Sequence, residues 1–455
     1  MSPRDAPALA SAHRMSRRRA LQTLAGAAAV CWPACRARPP AAPPLTTAQA
    51  AEGYVRLALS LARHQPSLVD TWLGPAAWGD VPREPVALVA GRLAALRHAL
   101  ATAAPAADAL DDARRRYLHG QLQALTLAAD RLAGVSRTFA DEAQQAFGVR
   151  PPARDAAAAD RLRQELSERL PGRGSLPERH AAFRAAHAVP PTRVEATFTA
   201  AIDWCRVAAR PHLSLPAGEA MTISAADERG WAAFSRPHDD RRSDIWVARG
   251  GGSNVAHLLQ LAAHEGTPGH HAQHVLATAA LVNARGWTER ALTPAFGPHR
   301  LIAEGAAEAG AELLLPTATR ERVCADVLLP AAGQRPALAP QLVAVERLVA
   351  ALDGEVADIA AEYLDTPLGS EAAAALLRDR ALVLDPHGML AFIERQRSRV
   401  LAYPLGRRLV GDALAAIPAP DRWRRFAAIT TVLDVDPPPA ALDLRRGEPA
   451  AADRE

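Results

Sequence analysis

His257-Leu258-Leu259-Gln260-Leu261-Ala262-Ala263-His264-Glu265-Gly266-Thr267-Pro268-Gly269-His270-His271-Ala272-Gln273-His274 holds five of the chain's 15 histidines. Apolar residues recur at helical spacing up to His264, so the segment enters as a helix. Pro268 then removes a backbone donor and Gly269 loosens the chain, so one unbroken helix cannot run through. An unbroken helix would also set His264 and His271 about 10 Å apart along its axis, too far to share one ion. A local bulge at Thr267-Pro268-Gly269 that folds out two residues would bring His270 to the position one turn beyond His264. If the bulge rotates the chain differently, His271 takes that place.

Imidazole and carboxylate at this density suit a borderline metal, with zinc first among them. The metalloprotease helix His-Glu-x-x-His carries two ligands one turn apart with the glutamate beside them as base. Here the fourth residue after His264 is Pro268, and the bulge is what restores the spacing. A third ligand is expected from a following helix. Leu301 to Leu315 reads as that helix, and Glu304, Glu308 and Glu312 stand on it at i, i+4 and i+8, on one face. The positions between them are Ala and Gly, which implies burial, and buried glutamates need a partner such as a metal with its histidines.

Upstream, Met221 to Ser224 and Ile245 to Val247 are short, partly β-branched runs that read as strands. Asp244 to Arg249 is the strand expected to offer an edge to an extended peptide. Helical periodicity marks 47–63, 85–103, 106–133, 157–170 and 193–209 before the motif, and 301–315, 338–363, 371–382 and 390–417 after it. The chain is therefore mainly α, with a small β-sheet just upstream of the site helix. Hydrophobic residues at 49% and charged residues at 22% are those of an ordinary folded globule.

The formal charge of +4 is local. Residues 1–36 hold six arginines against the single acid Asp5, which alone exceeds +4 and leaves the remainder at −1. A nearly neutral body has no electrostatic footprint for nucleic acid or an anionic membrane. Ser16-Arg17-Arg18-Arg19, an apolar run from Ala20 to Trp32 and the tract Pro39 to Pro44 have the order of an export signal of twin-arginine type. A periplasmic or extracellular location follows as the expectation. Lipid attachment at Cys31 or Cys35 is a weaker alternative. Cys205 and Cys324 suit one disulfide or two small buried hydrophobes.

The motif resembles the mainly bacterial family known as domain of unknown function 885, related to the zincin metallopeptidases. The shared pattern is His-Glu-x-x-Pro-Gly-His-His-x-Gln over His264 to Gln273, then Glu304-Gly305. Weaker matches are Val194-Glu195-Ala196, Cys205-Arg206, and Tyr403 with Gly406. Ala306, Ala307 and Ala309 stand where that family carries aromatics. The resemblance covers most of residues 50–430. It implies a zincin-like helical hydrolase domain, here over 37–436, following the export signal. With no long linker dividing it, that domain is expected to be one body with two lobes about a metal cleft, before a polar tail over 437–455.

On this reading His264, His270 and Glu304 hold zinc, and Glu265 is the general base. His271 is the alternative ligand or a donor to the developing oxyanion, and Tyr403 is a second candidate donor. Glu308 would accept from a ligand imidazole, and His274 would support the site or sit in the core. The expected activity is zinc-dependent hydrolysis of peptides. Hydrolysis of another amide or ester, or binding without catalysis, are the alternatives.

Overall fold

Side-chain caps start two of the first three long helices where the periodicity predicts them. The computed structural model describes residues 45–103, 105–227 and 231–435. Helix α1 (Thr47–Ala62) begins at a reciprocal box: the Thr46 hydroxyl accepts from Gln49 N, and Gln49 Oε1 accepts from Thr46 N. A short strand β1 (Val69–Trp72) precedes α2 (Val86–Ala101) and α3 (Ala109–Leu132), the latter capped by Asp108. These three helices close around Tyr54, Leu61, Leu93, Leu118, Leu122 and Leu125.

Helix α4 (Phe139–Phe147) follows, then helices at Ala156–Arg169 and Leu176–His187, then α5 (Val194–Ala209). Next come β2 (Ala220–Ala226), β3 (Ala233–Pro237) and β4 (Arg242–Ala248), in the spatial order β2-β4-β3. Strand β2 is parallel to β4 and β3 is antiparallel to it. The strand expected at the edge, β4, is therefore central. The edges are β2 and β3, and β3, which borders the site, gives little periodic signal with its Ser-Arg-Pro content.

Helices α6 (Val255–Glu265) and α7 (His270–Ala277) carry the histidine motif. Strand β5 (Leu292–Pro294) returns antiparallel to β1, and α8 (Gly297–Leu314) runs through the middle of the molecule. The predicted helix over 338–363 is two, Ala339–Ala350 and Asp353–Asp365. The one over 390–417 is α9 (Pro386–Gln396), a 3₁₀ turn at Arg397–Leu401, and α10 (Ala402–Ala415). The break sits at Arg397, with φ 48°. Its cause is distant in sequence: buried Glu142 on α4 accepts from Arg397 Nε, Ser398 N and Ser398 Oγ at 2.6, 3.1 and 2.8 Å. Helix α11 (Arg422–Val432) ends the described chain.

One face of α8 packs into the cluster around Phe426, Ile429 and Ile393, and its C-terminal end into the cluster around Phe198 and Leu259. The described residues all belong to one compact unit. Gly305 and Gly406 let α8 and α10 touch backbone to backbone: a Cβ on Gly305 would lie 2.2 Å from the Gly406 carbonyl carbon. This accounts for a glycine three residues after Tyr403.

Cys205 and Cys324 are free and buried, and burial pushes both thiols up to about 12. They are small core residues and not a disulfide. Among the described residues no helix is long and apolar enough to cross a membrane. The leader 1–36, Cys31, Cys35 and the tail 437–455 lie outside the described residues.

Candidate metal centre

Helix α6 is capped by Asn254, whose side chain accepts from His257 N at 3.0 Å. Leu258, Leu259, Ala262 and Ala263 fill its buried face, and this fixes the rotation of His264 and Glu265 at its last turn. The helix ends rather than bulges. Gly266 takes φ −94° and ψ −116°, a cis Thr267–Pro268 bond follows, and α7 starts afresh at His270. Gly269 folds back so that its N–H reaches Ala263 O at 3.0 Å. A Cβ on Gly269 would lie 1.8 Å from His264 O. Only glycine fits there, because the obstacle is backbone. Gly269→Ala is therefore expected to destabilise the fold by more than about 2 kcal/mol, read from the denaturant midpoint. An unchanged midpoint would mean that the turn has slack.

The turn sets the two imidazoles perpendicular, with ring centroids 4.7 Å apart. Glu304 on α8 completes the group: its Oε2 lies 3.2 Å from His264 Nε2 and 3.4 Å from His270 Nε2. One ligand atom from each of the three residues falls within 4.8 Å of the others. Glu304 Oε2 is buried and has no aligned hydrogen bond. In a tetrahedral zinc site with bonds of ~2.0–2.1 Å, neighbouring ligand atoms stand about 3.3 Å apart. The two separations from Glu304 match that edge length and the third lies within 4.8 Å, so the residues present fit the ion.

Surrounding groups orient each member. His270 Nδ1 lies 3.1 Å from Gln273 Oε1, and Gln273 donates to Ala303 O on α8 at 2.8 Å. His264 Nδ1 is 2.9 Å from Glu308 Oε1, though out of line for a hydrogen bond. Glu308 Oε2 accepts from Gln260, Gln260 accepts from Arg320, and Arg320 also holds Glu312. Of the three glutamates on α8, Glu312 is thus an exposed salt-bridge partner. Arg300 donates to Glu304 Oε1 at 3.1 Å and pairs with Asp70. Burial, then nearby Arg399, brings the Arg300 guanidinium down to about 10.

Burial disfavours charge on every group here, and the pairings decide the outcome. For His264 burial is outweighed by Glu304 and Glu308, which hold its pKa well above the usual histidine value. His270 is raised by Glu304 against the same penalty. In Glu304, burial is overcome by His270, His264 and Arg300, and the carboxyl is held well below its usual range. Glu265 differs: burial prevails over the two histidines and raises its pKa. The backbone N–H of Ser235, turned toward its carboxylate, acts in the opposite direction and lowers it. Tyr403 is pushed up by the charge of Glu304, then by burial, so its hydroxyl stays a donor. Its ring lies 6.4 Å from that of His264.

These groups line a cleft of about 320 Å³ with Trp231, Phe234 and Phe392 among its apolar walls. His274 also lines it, but its Nε2 is tied to Asp239 O at 2.5 Å. His271 is elsewhere. It is fully buried, with Nδ1 2.9 Å from Ser243 Oγ and Nε2 2.9 Å from Glu219 Oε2. With both ring nitrogens engaged and the ring outside the cleft, it serves neither as the second ligand nor as an oxyanion donor. It fastens α7 to β4 and to the segment before β2.

Gln273 closes the shared motif but carries no assigned role there, and nothing in the sequence singles out Gln260, Arg320, Arg300 or strand β3. Only Gln273 left a signal there, three residues after His270 on the same helix.

No family model and no curated protein matches the chain. A solved structure reported as "The crystal structure of the putative lipoprotein from Colwellia psychrerythraea" matches with a TM-score of 0.45 and 12% identity. The match covers 76% of this chain and 66% of that one.

Proposed function

We propose that this chain is a zinc-dependent hydrolase of short peptides. The carrying observation is the convergence of His264 Nε2, His270 Nε2 and the unbonded Glu304 Oε2 at metal-ligand spacing, with Glu265 beside them in the same cleft. Zinc bound there would supply Lewis acidity and a lowered water pKa.

The remaining work falls to the protein's own groups. Glu265, its pKa raised by burial, takes a proton from the attacking water at its carboxylate and returns it to the leaving amine. Tyr403, kept protonated and lining the same cleft, donates to the carbonyl oxygen as negative charge develops. Along β3, Ala232 O and His238 N bond toward β4. The alternation of an antiparallel ladder then turns the N–H and C=O groups of Ala233 and Ser235 outward. Both residues line the cleft. With the Ser235 N–H turned to Glu265, the Ala233 N–H and the two carbonyls remain to suit an extended peptide backbone.

A volume of about 320 Å³ lies at the lower end for ligand clefts. It favours short substrates and keeps hydrolysis of another small amide as the second reading. The arginine-rich leader supports export of the chain.

The test is metal analysis of the purified protein together with digestion of alanine tri- to hexapeptides, before and after chelation. One zinc per chain, hydrolysis lost on chelation and recovered on adding zinc are the expected results. Full hydrolysis in zinc-free protein would defeat the proposal.

A further inference from the structure

The cleft has more positive charge than its chemistry consumes. Four arginines, Arg290, Arg300, Arg395 and Arg399, line it against Asp70, Glu265 and Glu304. That is a surplus of one positive charge, rising to three with a divalent ion bound. Arg300 is spoken for by Asp70 and Glu304. Among the described residues the other three have no carboxylate within 4.0 Å.

Arg290 is only 8% exposed and its Nε has no hydrogen-bond partner. It donates once, to Val432 O, and lies 4.2 Å over the Tyr117 ring. Nε of Arg399 is likewise buried and unbonded, and the side chain's one hydrogen bond is long, 3.4 Å to Gln396. Unpaired buried guanidinium groups are costly, and they cluster where an anion is to be bound.

The turn carrying two of them is specifically built. Glu142 takes up Arg397 and the Ser398 backbone behind the turn, where Arg397 adopts its left-handed conformation. That clamp neutralises the middle arginine of the series and leaves Arg395 and Arg399, on either side of it, lining the cleft.

We infer that Arg395 and Arg399 bind the free C-terminal carboxylate of a short peptide, which makes the chain a carboxypeptidase acting near the substrate's C-terminal end. Two guanidinium forks match one planar carboxylate. In so small a cleft, a substrate whose backbone lies along β3 must end close by. The inference rests on the peptide-hydrolase reading for its chemistry but not for its binding geometry.

The experiment measures binding of trialanine, trialanine amide and Ala-Ala-Glu amide by calorimetry. It uses the Glu265→Gln protein, zinc-loaded and zinc-free, so that turnover does not interfere. The free acid is expected to bind about ten- to a hundred-fold more tightly than trialanine amide. Arg399→Gln should abolish that preference and Arg399→Lys restore part of it. Arg395 is exposed, so Arg395→Gln leaves the core intact and should reduce the preference on its own. Equal binding of acid and amide overturns the inference, as does a preference that survives both substitutions. Ala-Ala-Glu amide binding as well as trialanine would assign the arginines to an acidic side chain and overturn it too. Failure of the zinc reading would show separately, as absent metal and absent hydrolysis in the unsubstituted chain, while the acid preference persists without zinc.

Discussion

Replacing His270 by alanine is expected to weaken zinc binding by about 4 kcal/mol, close to a thousand-fold. Loss of one of three protein ligands should remove roughly a third of the ~10–16 kcal/mol seen for zinc in small structural sites. Glu304→Gln should weaken it as well, since Glu304 Oε2 faces both imidazoles. Competition against a graded chelator measures each change. His271→Ala is the control, because its ring binds Ser243 and Glu219. It should keep zinc while losing about 2–4 kcal/mol of fold stability through a cavity and a stranded polar partner. Zinc lost from folded His271→Ala but kept by His270→Ala would reverse the assignment. Because neighbouring carboxylates hold His264 and His270 protonated above the usual histidine range, zinc must displace protons. Its affinity should therefore rise with pH through that range.

Glu265→Gln is expected to keep zinc and lower turnover by roughly 10²-fold or more. The amide preserves size and can still meet the edge of β3, but it cannot accept a proton from water. Burial raises the Glu265 pKa, bringing the carboxylate nearer the pH at which a base is most effective. The paired readings are metal content and the initial rate of tripeptide cleavage. Equal loss of metal would make Glu265 a ligand or a folding element. An unchanged rate would place the base elsewhere.

What could be read from the sequence alone followed local rules. The helices at 47–62, 109–132 and 194–209 are written in apolar period and, for the first two, in side-chain caps at Thr46 and Asp108. Within the motif, Pro268 and Gly269 announced that the helix must break, and the spacing put His270 ahead of His271. Glutamates at helical spacing on an otherwise small and apolar segment marked α8 as the third wall.

The tertiary structure decided everything that depends on residues far apart in the chain. The break at Arg397 is imposed by Glu142, more than two hundred residues earlier, and no local propensity encodes it. His271 is removed from the cleft by Ser243 and Glu219, because adjacent helical residues point about 100° apart and only packing selects which of them faces inward. Strands β2 and β3, and not β4, are the edges because pairing order is a property of the assembled sheet. Which arginines find an acid and which face the cleft without one is settled by the fold in the same way, since charge pairing follows distance in space and not along the chain.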